Sequence, residues 1–175
     1  MAKGGRRAGA PGERAMAPWF NFFASSAEVT ATLIGFLFVA ISINLARILE
    51  IPHMPDRAAC GVTPLAGMMV VSMLALIPNQ SLPAFGVELL AAAALTAGAA
   101  ALFLVRSLPN YRGQPASWLW SLVVLSQAQN APLAVAGVLL VLGHPVGVAW
   151  AVPAVIFTVV AGVLNAWVLL IEILR

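Results

Sequence analysis

The clearest indication of the fold class comes from residues 126–171, SQAQNAPLAVAGVLLVLGHPVGVAWAVPAVIFTVVAGVLNAWVLLI. This stretch belongs to a longer run, from Gly113 to Ile171, that contains no Asp, Glu, Lys or Arg. A helix crosses the hydrocarbon core of a bilayer with ~20 mainly apolar residues. The run is therefore long enough for two spans joined by the turn GHPVG, residues 143–147. Backbone polar groups in lipid must be satisfied within the segment, so both spans are predicted to be helices.

The rest of the chain has the same character. Hydrophobic residues make up 62% of the 175 residues and charged residues 9%, whereas a soluble domain is nearer half apolar and a quarter charged. The mean hydropathy is +0.98. We predict an all-α, polytopic transmembrane helical bundle over residues 18–175, preceded by a disordered basic tail over residues 1–17. Five spans are expected, at about residues 27–49, 58–77, 84–105, 117–142 and 146–173. A broken, re-entrant fourth span, which would leave four full spans, is the alternative.

The basic residues are distributed as topology signals. With five spans, alternate loops and the C-terminus receive Arg47, Arg57, Arg106, Arg112 and Arg175, and the other two loops receive no Lys or Arg. Short loops rich in Lys and Arg face the cytoplasm. The first and third loops are therefore predicted to be cytoplasmic. The pI of about 10.0 does not indicate nucleic-acid binding, because the basic residues form no stripe.

The N-terminal tail disagrees with this orientation, since it would carry Lys3, Arg6, Arg7 and Arg14 across the membrane. Either the first span does not cross, or translation begins at Met16. We favour Met16, because VTATLIGFLFVAISINL, residues 29–45, has no charged face with which to lie at an interface.

The first two spans also resemble a known group. FNFFASSAEVTATLIGFLFVAISINLARIL, residues 20–49, contains the pattern GxxFVAISINL after several aromatic residues. It resembles the first span of small bacterial multi-spanning membrane proteins of unknown function, and residues 54–80 are similar to their second span. The resemblance covers about residues 19–80. It implies a bacterial origin and a location in the inner membrane, and it transfers no activity and no functional residue.

Catalytic signatures are missing from the sequence. There is no H-E-x-x-H helix, G-x-S-x-G turn, Walker loop or C-x-x-C pair. His53 and His144 fall in predicted loops on opposite sides, and Cys60 is the only cysteine. His144 is interpreted as a solvated turn residue and Cys60 as a small hydrophobe. We therefore predict no enzyme activity, no cofactor and no metal site.

Two carboxylates lie near the predicted span ends that are opposite the arginines. Ser25 and Glu28 have the S-x-x-E spacing of a capping box, and Glu88 lies close to the start of the third span, where a negative charge suits the helix dipole. Structural capping is the favoured interpretation of Glu28 and Glu88. The alternative is an acidic vestibule that attracts cations.

The fifth span carries a stripe of small and polar residues at helical spacing: Ala151, Ala154, Thr158, Ala161, Asn165, Val168 and Glu172. Membrane helices pack closely through small residues and interhelical hydrogen bonds, so this face is expected to contact protein, with a water-lining face as the alternative. Counting from the turn, Asn130 of the fourth span is expected to lie opposite Thr158.

The amides of SQAQNAP exceed what packing needs. Pro132 cannot donate to the carbonyl of Ala128, and one amide is enough to compensate for that. Gln127 and Gln129 lie about 200° apart on a helix, so they cannot share one interface. At least one of Gln127, Gln129 and Asn130 must meet another span, another subunit or water.

Two function classes follow. The first is a homo-oligomeric channel or conduit with a polar path near the fourth span, to which Thr158 and Asn165 would contribute. The second is a non-catalytic membrane subunit or regulator that binds a partner membrane protein through the same faces.

Overall fold

A computed structural model describes residues 15–50, 54–107 and 116–171, and these form helices and turns without a strand. A short 3-10 turn, Ala17–Trp19, leads into α1, Phe20–Ile43. The other helices are α2 (Leu45–Glu50), α3 (Met54–Leu74), α4 (Leu82–Ser107), α5 (Ala116–Val141) and α6 (Ala151–Ile171). A second 3-10 segment, Pro145–Trp150, connects α5 to α6.

The five long helices run alternately up and down. The Phe23 and Phe85 rings meet edge to face with centroids 5.9 Å apart, which brings the N-terminal ends of α1 and α4 to one end of the bundle. At the opposite end, Asn44 at the end of α1 donates a hydrogen bond to the carbonyl of Leu169, near the end of α6. The described arginines Arg47 and Arg106 also belong to this second end, after α1 and at the end of α4.

Two apolar cores lie one above the other. The core at the Phe23 end is contributed by α1, α3, α4, α5, the 3-10 segment and α6, and it includes Phe85, Leu140 and Val148. The core at the arginine end is formed by α1, α2, α3 and α6 around Leu37, Leu65 and Leu169. The largest single contact in the bundle is between α4 and α5.

The outer surface suits lipid. Four helical segments of the described chain are long and apolar enough to cross a membrane, by length and composition: Ala17–Ile43, Met54–Leu74, Leu82–Arg106 and Pro145–Trp167. Their outward residues include Phe36, Leu95 and Val163, which are large, apolar and exposed. The fifth long helix, α5, has 26 residues, and the part whose side chains are described, Gln127–Val141, is also apolar. This is the all-α membrane bundle that the sequence predicts.

The helix boundaries differ from the predicted spans at several points. The first helix begins at Phe20 and ends at Ile43, where Asn44 interrupts it. The last helix begins at Ala151, because PVGVAW after His144 forms the 3-10 segment. The fourth span is one continuous helix through Pro132, which differs from the broken, re-entrant alternative.

The predicted capping box is wrong. Because α1 begins at Phe20, Ser25 and Glu28 lie inside the helix, and the N-cap residue is Trp19 without a side-chain cap. The predicted tail over residues 1–17 lies outside the described residues up to residue 14. At its end, Met16 is half-buried and packs against the first core.

Candidate functional site

A cluster of uncharged polar side chains lies near the centre of the bundle, where α3, α4, α5 and α6 meet. Gln129 and Asn130 of α5, Thr96 of α4 and Thr158 of α6 are all buried. The Thr96 hydroxyl donates a hydrogen bond of 2.7 Å to Oδ1 of Asn130. Such interhelical bonds between polar side chains are a principal means of joining helices in lipid.

The Thr96 hydroxyl lies within hydrogen-bond distance of two acceptors. Its oxygen is 2.7 Å from Oδ1 of Asn130 and 2.8 Å from the Ala92 carbonyl. A hydroxyl has one proton to donate, so the contact with Asn130 competes with a bond to the backbone of α4 itself.

The cluster lines a cavity of about 10 Å³, which is the size of a single water site. Pro64, Gly67 and Met68 of α3 and Leu133 of α5 complete its walls, together with the four polar residues of the cluster. Thr158 donates its proton to the Ala154 carbonyl, which leaves the lone pairs of its oxygen as acceptors. The lining residues include no charged side chain.

One polar atom in the cluster lacks a partner. Gln129 is 7% exposed, and its Oε1 is buried without a hydrogen-bond partner. An unsatisfied amide oxygen in an apolar environment costs about 1–3 kcal/mol, so this atom marks the point where the cluster is incomplete.

The backbone explains why a gap forms here. Pro64 inside α3 and Pro132 inside α5 each remove one N–H from the helical ladder. At the same level α3 approaches α4 closely, since a Cβ added to Gly67 would lie 2.6 Å from Cγ2 of Thr96. The cavity thus lies where two continuous helices each lack one backbone N–H and where α3 and α4 cross closely.

The third amide of the fourth span points the other way. Gln127 is exposed on the outside of the bundle, and its side chain makes no hydrogen bond within the described part of the chain. The helix is about 39 Å long at ~1.5 Å per residue, and Gln127 lies near its middle. An uncharged but strongly polar group is thus exposed near the middle of α5.

The predicted stripe on the last helix lies against protein over its described part. Ala151, Ala154, Thr158 and Ala161 are buried. Asn165 is half-buried, donates to the carbonyl of Ala161, and lies next to Gly61 of α3. The side chain of Val168, and Glu172, lie outside the described residues. Thr158 is at the level of Asn130, as the count from the turn predicts, but the described partner of Asn130 is Thr96 on α4, which the sequence argument did not consider.

Asn44 is a polar contact that the sequence analysis missed. Its amide is buried and donates both to the Ala40 carbonyl, at 3.2 Å, and to the Leu169 carbonyl, at 3.1 Å. Asn44 follows the last residue of α1, so this bond joins the end of α1 to α6. The signal was visible in SINL, residues 42–45, as a lone amide at the end of an apolar run.

The two carboxylates do not cap helices. Glu28 is exposed on α1. Glu88 is half-buried and accepts a 2.6 Å hydrogen bond from Nε2 of Gln80 in the turn before α4. The cap of α4 is Ser81, whose hydroxyl accepts from the N–H of Ala84 at 3.3 Å. Glu88 therefore makes a contact between helix and turn, and its expected interaction with the dipole of α4 stays a prediction.

The remaining candidates stay apart from the cluster. His144 is exposed in the turn after α5 and Cys60 is half-buried in α3, whereas His53 lies outside the described residues. Among the residues that the structure describes, no three His, Cys, Asp or Glu side chains are grouped as metal ligands would be.

Comparison with known proteins gives no relative. No protein-family model, no curated protein and no solved structure matches this chain. The resemblance of residues 19–80 to small bacterial membrane proteins stays a prediction.

Proposed function

We propose that this chain is a non-catalytic, multi-pass subunit of a homo-oligomer in the bacterial inner membrane, and that the copies meet at the outward face of α5. The observation that carries the proposal is Gln127, which is exposed near the middle of the long helix α5. The bacterial inner membrane rests on the sequence resemblance, and the multi-pass arrangement is supported by the apolar helices.

The cost of leaving Gln127 in lipid favours a partner. Moving an amide from water to hydrocarbon without a compensating hydrogen bond costs roughly 4–8 kcal/mol. A second copy is the simplest partner, because an amide carries both donors and an acceptor. Two identical Gln127 side chains related by a two-fold axis can therefore satisfy one another.

The rest of the face suits helix contact better than a water-filled path. Towards the end of α5, the exposed residues that follow Gln127 at helical spacing are Ala131, Val135, Val138 and Leu142. They are apolar, and Ala131, one turn from Gln127, is small enough to let another helix approach.

Cross-linking tests the proposal. In a chain carrying Cys60→Ala, Gln127→Cys should form a disulfide-linked dimer on mild oxidation in membranes. Leu95→Cys is the matched control, because Leu95 is 75% exposed on α4 and adjoins Thr96, which lies at the level of the central cavity. Equal cross-linking at both positions, or none at position 127, would contradict the α5 interface. If position 127 instead forms a disulfide with a different membrane protein, that protein is the partner and the homo-oligomer is wrong.

A conduit is the second candidate. In a ring of copies around a shared axis, the Gln127 amides could bond to water as well as to neighbouring amides. The apolar residues that follow on the same face would form a constriction that gates the path by losing its water. Purified protein in liposomes should then pass ions or small solutes, and Gln127→Leu should abolish the flux while the oligomer persists on size exclusion. Absence of flux from the wild-type protein at high density would leave only the non-conducting subunit.

A further inference from the structure

We propose that the cavity between α3, α4, α5 and α6 is a binding site for one water molecule, and that this water completes the hydrogen bonding of Gln129. The site is independent of the proposed oligomer, because its walls come from a single chain. Its volume, about 10 Å³, fits one water and nothing larger.

The chemistry of the walls selects water by its hydrogen bonds. A buried water usually makes two to four hydrogen bonds to otherwise unsatisfied polar groups. Here Oε1 of Gln129 is buried without a partner, and the Thr158 hydroxyl donates its one proton to the Ala154 carbonyl. Both residues line one cavity, both atoms can accept, and a water has two protons to donate to them.

A monovalent cation is the competing ligand, since the walls offer amide and hydroxyl oxygens. Charge decides against it. No carboxylate lines the cavity, and a buried ion without a charged partner carries a desolvation penalty far above the small entropic cost of holding a water. The site lies at the centre of the bundle, where that penalty is greatest.

The water would offset the cost of an unfilled polar space between α3 and α5, the two helices that contain Pro64 and Pro132. It would bridge α5 and α6 at the level where Thr96 and Asn130 already join α4 to α5. Helices α4, α5 and α6 would then be linked at this level by hydrogen bonds that involve no charged group.

A structure at a resolution that shows ordered waters tests the site directly. We expect one density peak within hydrogen-bond distance of Gln129 Oε1 and Thr158 Oγ1. A cavity without density, or a Gln129 amide rotated onto another protein partner, would overturn the proposal. A sodium ion in the cavity would also overturn the proposal. It would appear as a density peak with several short oxygen contacts, and the melting temperature would fall when choline chloride replaces sodium chloride.

Thermal unfolding gives a second test. Thr158→Val keeps the shape of the side chain and removes the oxygen that faces the cavity. Its matched control is Thr63→Val, since the Thr63 hydroxyl also donates to the carbonyl four residues earlier but does not line the cavity. We expect Thr158→Val to lower the melting temperature by ~2–4 °C more than Thr63→Val does. An equal effect of the two substitutions would show that Thr158 loses only its backbone contact, and the water would then lack its second acceptor.

Discussion

Neighbouring side chains on α5 meet three different environments. Gln127 faces outward, Asn130 bonds to Thr96, and Gln129 faces the cavity with an unsatisfied oxygen. The separation follows from the turn of ~100° per residue, which carries positions 127 and 129 to opposite sides. One polar segment can therefore serve the interior and the exterior of a bundle together.

Thr96 and Asn130 should be energetically coupled. A double-mutant cycle with Thr96→Val and Asn130→Leu is expected to give a coupling of about 0.6 kcal/mol, the average for interhelical hydrogen bonds in a membrane protein, and at most about 1.7 kcal/mol. Equilibrium unfolding in mixed detergent micelles measures it. Thr32→Val replaces Thr96→Val in the control cycle, because Thr32 is exposed on α1 and residues without contact add independently. Equal coupling in both cycles would contradict the contact.

At this scale the sequence predicted which amides matter but not their partners. Gln127 and Gln129 were separated correctly by helical geometry alone. Thr96 was missed because a threonine in an Ala-rich helix ordinarily bonds to its own backbone, as Thr32 and Thr63 do. Only the packing of α4 on α5 brings its oxygen to Asn130.

Helices α4 and α5 cross closely at two glycines. A Cβ at Gly86 would lie 2.8 Å from the carbonyl oxygen of Gly137, and one at Gly137 would lie 2.9 Å from that of Gly86. The obstacle is backbone on both sides, so it cannot be relieved by rotating a side chain. The two glycines fix how near the two helix axes come.

Gly86→Ala and Gly137→Ala should therefore separate α4 from α5, with a loss of about 1–3 kcal/mol from overpacking. The measurement is again equilibrium unfolding. Gly98→Ala on the same helix α4 is the control, because nothing lies within 4 Å of its added Cβ. Alanine there should stabilise the helix by up to about 1 kcal/mol. A destabilisation by Gly98→Ala as large as that by Gly86→Ala would mean that the close crossing is unimportant.

The positions of the helices were predictable, because the length of an apolar run is set by the thickness of the bilayer that it must cross. The residues at which the helices begin and end were not predictable. Phe20, Asn21 and Phe22 extend α1 upstream of the uncharged run, since aromatic and polar residues are tolerated where a helix leaves the hydrocarbon. Asn44 follows the end of α1 and donates to the carbonyl of Leu169. The sequence shows this amide at the end of an apolar run but not its distant partner.

Across the whole molecule, charge separates the two ends. The described arginines of the first and third connections, Arg47 and Arg106, share one end with the end of α6, and the turns around Gln80 and His144 share the other. This matches the alternation read from the sequence. The side of the membrane on which each end lies is still a prediction from the positive-inside bias.

Thiol labelling of intact cells tests that orientation. In a Cys60→Ala chain, His144→Cys should react with an impermeant reagent added outside, because His144 is exposed in a turn. Arg112→Cys should react only after the membrane is opened. The reverse pattern would invert the assignment.

The hydrogen bond between Thr96 and Asn130 also has a consequence for biogenesis. The ribosome delivers α4 before α5, and α5 before α6. When Asn130 follows, the Thr96 hydroxyl is already in place to donate to its Oδ1, whereas the proposed water site beside Gln129 is complete only when Thr158 arrives with the last helix. The order of polar residues along the chain thus shortens the time during which the Asn130 amide is exposed to lipid without a partner. We therefore expect α4 and α5 to insert together as a pair.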